Sequence, residues 1–380
     1  MHITGGKTLV ERLSQRSIGL RVRNAREAKG WTQDQLTGAL GLNDRQTVSD
    51  IENGKRAVKP DELVRLTDVL DRDLDYFLDP FAVAGEAQFS WRASPEVSEE
   101  TLDGFETKAG RWIGLLRWLR ETEQGPSNPL KHSLRLSTQS SFEEAQESAE
   151  RLVETLDLGV VPAERLIEHI ERQLDIFVLF VDTDDASDGS ISGATCQLDD
   201  LCVILIARNE SEGRRFYDLA HELFHALTWD AIKPAHRESN AVGERTRGKR
   251  VEQLANNFAA ALLMPRATLD RVLDRRCLND VTHLAQGAAQ LRVAPAALAW
   301  RLFNLTWIGD DTRQALMGER QRVSISGAPK RLSPVFVQML QRAIDRGTLS
   351  ARKAAKALEL NLSQLADLFG EHGLPVPFDL

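Results

Sequence analysis

Residues 215–225 read RFYDLAHELFH, and this stretch decides what the second half of the chain can be. His221 and His225 stand four positions apart, with Glu222 between them. Positions four apart on an α-helix differ by ~40° around the axis, so both imidazoles point to one side and can bind one metal ion. Glu222 can then accept a proton from water without ligating the ion. The pattern predicts either a helix with a zinc site or a packed helix whose histidines are satisfied by hydrogen bonds.

A catalytic zinc site needs a third protein ligand and one open position. The spacing of His236 does not suit a third histidine ligand, so the better candidate is Glu252, in the stretch VEQLANNFAAALLMP at residues 251–265. The apolar spacing of this stretch predicts a second helix, which can present its carboxylate to the histidines. Tyr217 either donates to an oxyanion in the transition state or packs in the core, and Asn256 either orients a ligand imidazole or solvates a helix.

A second constellation lies near the N-terminus, between Trp31 and Arg56. Short helices separated by glycine predict a helix-turn-helix, whose second helix enters the major groove and reads base edges. Residues 16–60 hold nine Lys or Arg and five acids, a net charge of +4, which favours DNA binding over the alternative of a helical protein-docking module. The residues that we expect to face the bases are Arg45, Gln46, Thr47 and Asp50. Those that we expect to hold phosphates are Gln33, Lys55 and Arg56. The core between the helices is expected to consist of Leu36, Ala39, Leu42, Val48 and Ile51.

Residues 18–78 resemble the XRE, or lambda-repressor-like, family of DNA-binding domains. The likeness rests on Arg26, on the dipeptide TQ at residues 32–33 and on the stretch SDIENGK at residues 49–55. The resemblance implies sequence-specific binding to a double-stranded DNA operator and an internal pair between Arg26 and Glu52. A palindromic operator would favour a homodimer as the binding unit.

The motif HELFH and the downstream EQLANNFAAALLMP together resemble the ImmA/IrrE family of zinc metallopeptidases, over roughly residues 145–310. The resemblance implies one Zn²⁺ per chain, with His221, His225 and Glu252 as its ligands and Glu222 as the general base. It also implies a protein substrate, namely a repressor or antitoxin-like partner that is cleaved in a stress, phage or mobile-element response.

Three functions remain compatible with these motifs. The first is a sequence-specific transcriptional regulator that carries a zinc metalloendopeptidase; the second is a DNA-binding regulator whose zinc site is sensory or non-proteolytic; the third is a toxin–antitoxin or defence component. Phe224 occupies a position that is usually glycine in the peptidase family, so its ring either narrows the cleft or fills core. The stretch 340–368 resembles a helix-turn-helix, but its balanced charges favour docking or dimer contact over DNA.

Length and composition limit the number of domains, the location and the cysteine chemistry that the chain can have. The chain has 380 residues, 42% of them hydrophobic and 27% charged, enough for more than one globular domain. The net charge of -8 argues against indiscriminate coating of nucleic acid. No apolar run reaches the ~18–20 residues that span a bilayer, so we expect no membrane contact and a cytoplasmic location. The three cysteines contain no CxxC pair, so a disulfide framework or a thiolate zinc site is not expected.

The predicted fold class is α+β and mostly α. It comprises an N-terminal five-helix lambda-repressor-like domain, a zincin-like helical peptidase domain with a small β-sheet, and a C-terminal helical tail. The predicted boundaries are an N-terminal tail at 1–17, the DNA-binding domain at 18–80, a linker and helical connector at 81–140, the metallopeptidase domain at 141–310 and the C-terminal segment at 311–380.

Overall fold

A computed structural model of the chain describes residues 9–79, 81, 83, 87–124, 133–183, 190–237, 247–319 and 327–379. Within these residues the protein is mostly helical and has one small sheet, which confirms the predicted fold class. The helices are α1 (Leu9–Ala28), α2 (Gln33–Leu40), α3 (Arg45–Glu52), α4 (Pro60–Leu70), α5 (Leu74–Leu78), α6 (Glu99–Gln124), α7 (Phe142–Thr155), α8 (Pro162–His169), α9 (Glu212–Thr228), α10 (Arg247–Leu263), α11 (Arg266–Val272), α12 (Val281–Gln290), α13 (Pro295–Asn304), α14 (Asp310–Gly318), α15 (Pro334–Asp345), α16 (Ala351–Ala357) and α17 (Leu362–Glu371).

Two compact units share the chain. The first comprises residues 1–87, 106–125 and 349–361, and the second comprises residues 88–105, 126–348 and 362–380. None of the described helices combines the length and the apolar character that a membrane-spanning segment needs.

The helices α1 to α5 begin and end where the local chemistry requires. Thr32 and Gln35 form a capping box at the start of α2, in which each side chain bonds the backbone N–H of the other. Gly41 ends α2 with φ of 65°, a left-handed conformation that glycine adopts without the steric penalty of a Cβ atom. The side chain of Asp44 then caps α3 by accepting the N–H of Thr47. The apolar faces of these helices meet in one core, formed by Val22, Ala25, Leu36, Leu40, Val48, Ile51, Leu66, Leu70 and Phe77.

Four strands form the sheet that the structure describes, with the order β1-β3-β4-β2. The strands β1 (Gln88–Ala93) and β4 (Cys202–Ala207) each pair antiparallel with β3 (Ile191–Gln197), and β2 (Ile176–Val181) pairs parallel with β4. The strand β4 reads CVILIA and is buried at every residue, as expected for a central strand covered on both faces. The helix α9 packs against β3 and β4, and α10 packs against α9 and α7, so the sheet supports the helix with the HELFH motif.

The structure differs from the sequence expectations at three places. The helix α1 begins at Leu9, inside the predicted tail, because residues 9–17 contain no glycine or proline to stop it; residues 1–8 lie outside the described part of the chain. Ala39, expected in the core, is exposed, because it follows the solvent side of the short helix α2. Residues 88–93, placed within a connector although residues 89–92 are compatible with either a short strand or an extended linker, form the edge strand of the sheet.

Candidate functional site

The helix α9 buries both histidines of the HELFH motif. His221, Glu222 and His225 each have 0% of their surface exposed. The Nε2 atoms of His221 and His225 lie 3.1 Å apart, so the two imidazoles face one point, as the four-residue spacing predicts.

The helix α10 brings Glu252 to the same point. One carboxylate oxygen lies 3.2 Å from Nε2 of His221 and the other lies 3.8 Å from Nε2 of His225. Burial raises the pKa of the Glu252 carboxyl, but its contacts with the two histidines outweigh burial and hold that pKa well below its ordinary value. Glu252 is therefore an anion at neutral pH, which is the form that ligates a metal.

These three side chains fit a zinc ion. Their ligand atoms all lie within 4.8 Å of one another. In a tetrahedral zinc site with bonds of ~2.0–2.2 Å, neighbouring ligand atoms lie about 3.4 Å apart, which agrees with the separations above. Two imidazoles and one carboxylate are also the donor set of catalytic zinc sites that keep a fourth position for water.

Asn256, one turn after Glu252 on α10, contacts the metal-site histidine from behind. Its Oδ1 lies 3.0 Å from Nδ1 of His221, where it can accept from the Nδ1–H tautomer, the form whose Nε2 lone pair is available to a metal. The hydroxyl of Tyr217 donates to the backbone carbonyl of Asn256 at 3.1 Å. Burial raises the pKa of Tyr217 to about 12, so the phenol remains protonated at neutral pH and can act as a donor. Both residues thus contact the site, although Tyr217 is directed at Asn256.

Glu222 lies between α9 and the sheet. The hydroxyl of Thr195, on β3, lies 2.7 Å from Oε2 of Glu222 and 3.0 Å from its backbone oxygen. A Cβ atom added at Gly193 would lie 3.5 Å from Cγ of Glu222 and 3.0 Å from the carbonyl oxygen of Leu205. The strand therefore holds one oxygen of Glu222, and glycine at position 193 avoids a tight contact with the carbonyl of Leu205.

A guanidinium from β1 also reaches the site. Arg92 lies with Nε 3.1 Å from Oδ1 of Asp218, and its Nη1 donates to Nε2 of His221 at 2.9 Å. Burial, the largest influence, raises the pKa of the Asp218 carboxyl, while Arg92 and Arg214 act to lower it. A cavity of about 410 Å³ begins at these residues and continues between α9, α10 and α13.

Phe224 fills core instead of narrowing the site. Its side chain is fully buried, and its ring lies 5.6 Å from the ring of Phe258, centroid to centroid. The ring therefore contributes packing between α9 and α10.

In the first unit, a chain of hydrogen bonds runs from the surface of α3 to a buried ion pair. The Nε of Arg45 donates to Oε1 of Gln33 at 3.0 Å, and Nε2 of Gln33 donates to Oε2 of Glu52 at 2.8 Å. Glu52 also receives Nε and Nη2 of Arg26, at 2.6 and 3.1 Å, which is the internal pair that the family resemblance implied. Arg45 is exposed, so Gln33 holds its guanidinium at the surface, where DNA can contact it.

The other residues expected at DNA differ in how they are engaged. Gln46 and Lys55 are exposed, and Nε2 of Gln46 donates to Oδ1 of Asp50 at 2.8 Å. Thr47 donates to the capping residue of α3 through its hydroxyl. Arg56 differs most from the expectation, because both oxygens of Glu62 bind its guanidinium, at 2.7 and 2.9 Å. A DNA phosphate would have to share Arg56 with this internal pair.

Sequence reasoning missed Arg92 and Thr195. Neither belongs to a motif, since they lie 129 and 27 residues away from the motif residues that they contact. The sequence offers little signal for either residue, because β1 (QFSWRA) and β3 (ISGATCQ) both mix polar with apolar side chains.

Comparisons with known proteins agree with the two constellations. A family model described as Helix-turn-helix matches residues 22–77, and one described as IrrE N-terminal-like domain matches residues 172–303. No curated protein matches the chain. Among solved structures, the apo form of the competence regulator ComR from Streptococcus vestibularis matches with 13% identity and a TM-score of 0.16. The match covers 95% of this chain and 100% of that one. The chain thus joins an XRE-type helix-turn-helix domain to a domain of the IrrE N-terminal-like peptidase family.

Proposed function

We propose that the protein is a sequence-specific transcriptional regulator that carries a zinc-dependent metalloendopeptidase. One observation carries the enzymatic half: two imidazole nitrogens and one carboxylate oxygen converge within 4.8 Å, beside the buried Glu222. The substrate that we propose is a repressor or antitoxin-like protein, cleaved in a stress, phage or mobile-element response. A DNA-bound regulator acts where the chromosome is, which in a prokaryote is the cytoplasm.

The residues divide the proposed reaction among them. His221, His225 and Glu252 would hold the zinc ion, which supplies a Lewis acid for the scissile carbonyl and lowers the pKa of the attacking water. Glu222 takes a proton from that water and returns it to the leaving amine. Thr195 keeps one carboxylate oxygen of Glu222 in place, so that the proton moves to and from a fixed base.

The decisive experiment pairs this protein with a candidate substrate. Zinc-loaded protein is incubated with the repressor or antitoxin-like product of a neighbouring gene, and fragments are identified by mass spectrometry. We expect one defined cut with the wild type and none with Glu222→Gln, which keeps the three metal ligands. Equal fragments from both proteins, or none from any neighbouring candidate, would contradict proteolysis.

The DNA-binding half is tested separately. Wild-type protein selects operators from a random duplex library, and Arg45→Ala is compared on the selected sequence. Loss of one arginine contact to guanine costs about 1–3 kcal/mol, so we expect affinity to fall ~5- to 150-fold at that base pair. Arg172→Ala, an exposed arginine of the second unit that pairs with Glu168, serves as the matched control with unchanged affinity. Absence of any selected sequence would refute sequence-specific binding.

A further inference from the structure

The helix α1 packs its backbone directly on the end of α3. A Cβ atom added at Gly19 would lie 2.1 Å from the carbonyl oxygen of Ile51, so the close approach requires glycine there. About one turn earlier on α1, Arg16 meets the turn that follows α3. A Cβ atom added at Gly54, in this turn, would lie 2.8 Å from Cα and 3.3 Å from Cβ of Arg16. The side chain of Arg16 therefore begins beside the turn.

Hydrogen bonds hold the turn and α1 in place relative to α3. The backbone N–H of Lys55, in the turn, donates to the carbonyl of Asp50, inside α3, at 2.8 Å. Arg23, two turns after Arg16 on α1, donates through Nη2 to Oδ1 of Asn53 at 3.0 Å. Arg16 thus has a defined position relative to the helix that we expect at the bases.

Arg16 and Lys55 carry positive charges that are not neutralised within the described part of the chain. Both side chains are exposed, and neither forms an ion pair with a described residue. Arg56, which the sequence predicted at a phosphate, is instead bound by both oxygens of Glu62. Arg16 therefore offers an unpaired guanidinium beside the turn in which the guanidinium of Arg56 is engaged.

The length of α3 places this turn at the edge of a major groove. The helix has 8 residues, so at about 1.5 Å per residue it is about 12 Å long, close to the width of the groove. A helix-turn-helix domain contacts base edges with the N-terminal residues of its second helix. The other end of α3 then lies near a wall of the groove, which consists of sugars and phosphates. A guanidinium at that end meets phosphate oxygens, which it can bind with two parallel N–H groups.

We propose that Arg16 binds a phosphate of the DNA backbone beside the turn after α3, so that α1 extends the DNA-binding surface beyond the helix-turn-helix domain. Residue 16 lies outside residues 22–77, which the family model matches, and ahead of the predicted start of the domain at residue 18. The inference rests on the proposed DNA-binding function. Because phosphates are present in every DNA sequence, Arg16 contributes affinity and no base specificity.

Salt dependence distinguishes a phosphate contact from a base contact. Full-length protein is titrated into two fluorescent duplexes, the operator selected from the random library and an unrelated duplex of equal length, and anisotropy is followed between about 0.1 and 0.3 M KCl. Each phosphate contact contributes about 0.9 to the slope of log affinity against log salt. Arg16→Ala should therefore reduce the slope by about 0.9 on both duplexes, which weakens binding about 8-fold at 0.1 M salt and about 3-fold at 0.3 M.

Further variants assign the change to Arg16. Arg16→Lys keeps the charge and should retain the slope, whereas alanine in Arg16→Ala favours the helix and leaves α1 intact. Arg72→Ala is the matched control, because it removes an exposed arginine of the same unit that lies over the ring of Tyr76, and it should leave the slope unchanged. Arg45→Ala should weaken binding to the operator more than binding to the unrelated duplex.

The outcomes keep this inference separate from the proposed function. A wild-type slope in Arg16→Ala, or a loss no greater than that of Arg72→Ala, overturns the role of Arg16 and leaves operator binding intact. A loss confined to the operator also overturns it, because that result indicates a base contact. A reduced slope on unrelated DNA, in a protein that selects no operator, supports this inference while sequence-specific regulation fails. Absence of binding to either duplex overturns both.

Discussion

The buried pair between Arg26 and Glu52 gives the strongest quantitative prediction for the DNA-binding unit. The Glu52 carboxylate is fully buried and accepts two hydrogen bonds from Arg26. Glu52→Leu removes the acceptor of both bonds, although Arg26 keeps its bonds to the carbonyl of Trp31 at 2.7 Å and to Oε1 of Glu27 at 3.1 Å. At about 1.5–3 kcal/mol for each hydrogen bond to a charged group, the substitution should cost about 3–5 kcal/mol, the usual range for breaking one side of a buried ion pair.

Hydrogen exchange of the full chain measures this cost locally. Amides of α2 and α3 that exchange only when the unit opens should lose protection by roughly 100- to several-thousand-fold. The double variant Arg26→Met with Glu52→Leu replaces the pair by apolar side chains and should lose less protection than Glu52→Leu alone, because the buried guanidinium is removed together with its carboxylate. Gln33, which also donates to Glu52, loses its acceptor in both variants. A loss of less than 10-fold in Glu52→Leu, or a double variant as damaged as the sum of the two, would refute the reasoning.

Three further predictions concern the second unit. Asn256→Ala should lower zinc affinity about 10- to 100-fold by releasing His221, measured by competition with a chelating dye; an unchanged affinity would contradict the contact. Thr195→Val should lower kcat about 10-fold or more at constant zinc affinity, with recovery in Thr195→Ser; a matching loss of zinc would instead indicate structural damage. Burial raises the pKa of Glu171 to about 7. Because the folded protein favours the protonated carboxyl, the free energy of unfolding that this group contributes is complete below its ordinary pKa of 4.5 and is lost as pH rises through 7. The whole loss is about 3 kcal/mol at most. Urea unfolding at pH 5 and pH 8 checks the last prediction, and Glu171→Gln should remove the difference between them.

Local chemistry made much of the fold predictable. The helices α2 to α5 begin at capping residues or at Pro60, and α2 to α4 end near glycine or a left-handed residue, signals that act within a few positions. The apolar runs of β2 (IFVLFV) and β4 (CVILIA) are also visible in the sequence, whereas β3 reads ISGATCQ. The start of α1 was not predictable, because a stretch without helix breakers is compatible with both helix and tail.

The metal site was predictable to the extent that it lies on helices. The spacing of His221 and His225 fixes their common side, whereas the approach of Glu252 depends on how α10 packs, so the sequence could only propose it. Arg92 and Thr195 enter through the register of the sheet. The pattern of apolar residues does not show which residue of a distant strand faces a given helix position. That contact depends on the register of strand pairing, which is set only in the folded structure.

The hydrogen bonds from Arg45 through Gln33 to Glu52 distinguish positions that can be substituted easily from positions that cannot. Gln33 is tied to the interior, so replacing it disturbs the ion pair beneath, while residues 45 and 46 can vary at the surface at little structural cost. Relatives that have diverged to new operators are therefore expected to differ at positions 45 and 46 and to keep Arg26, Gln33 and Glu52 together, so that recognition diversifies on an inherited support.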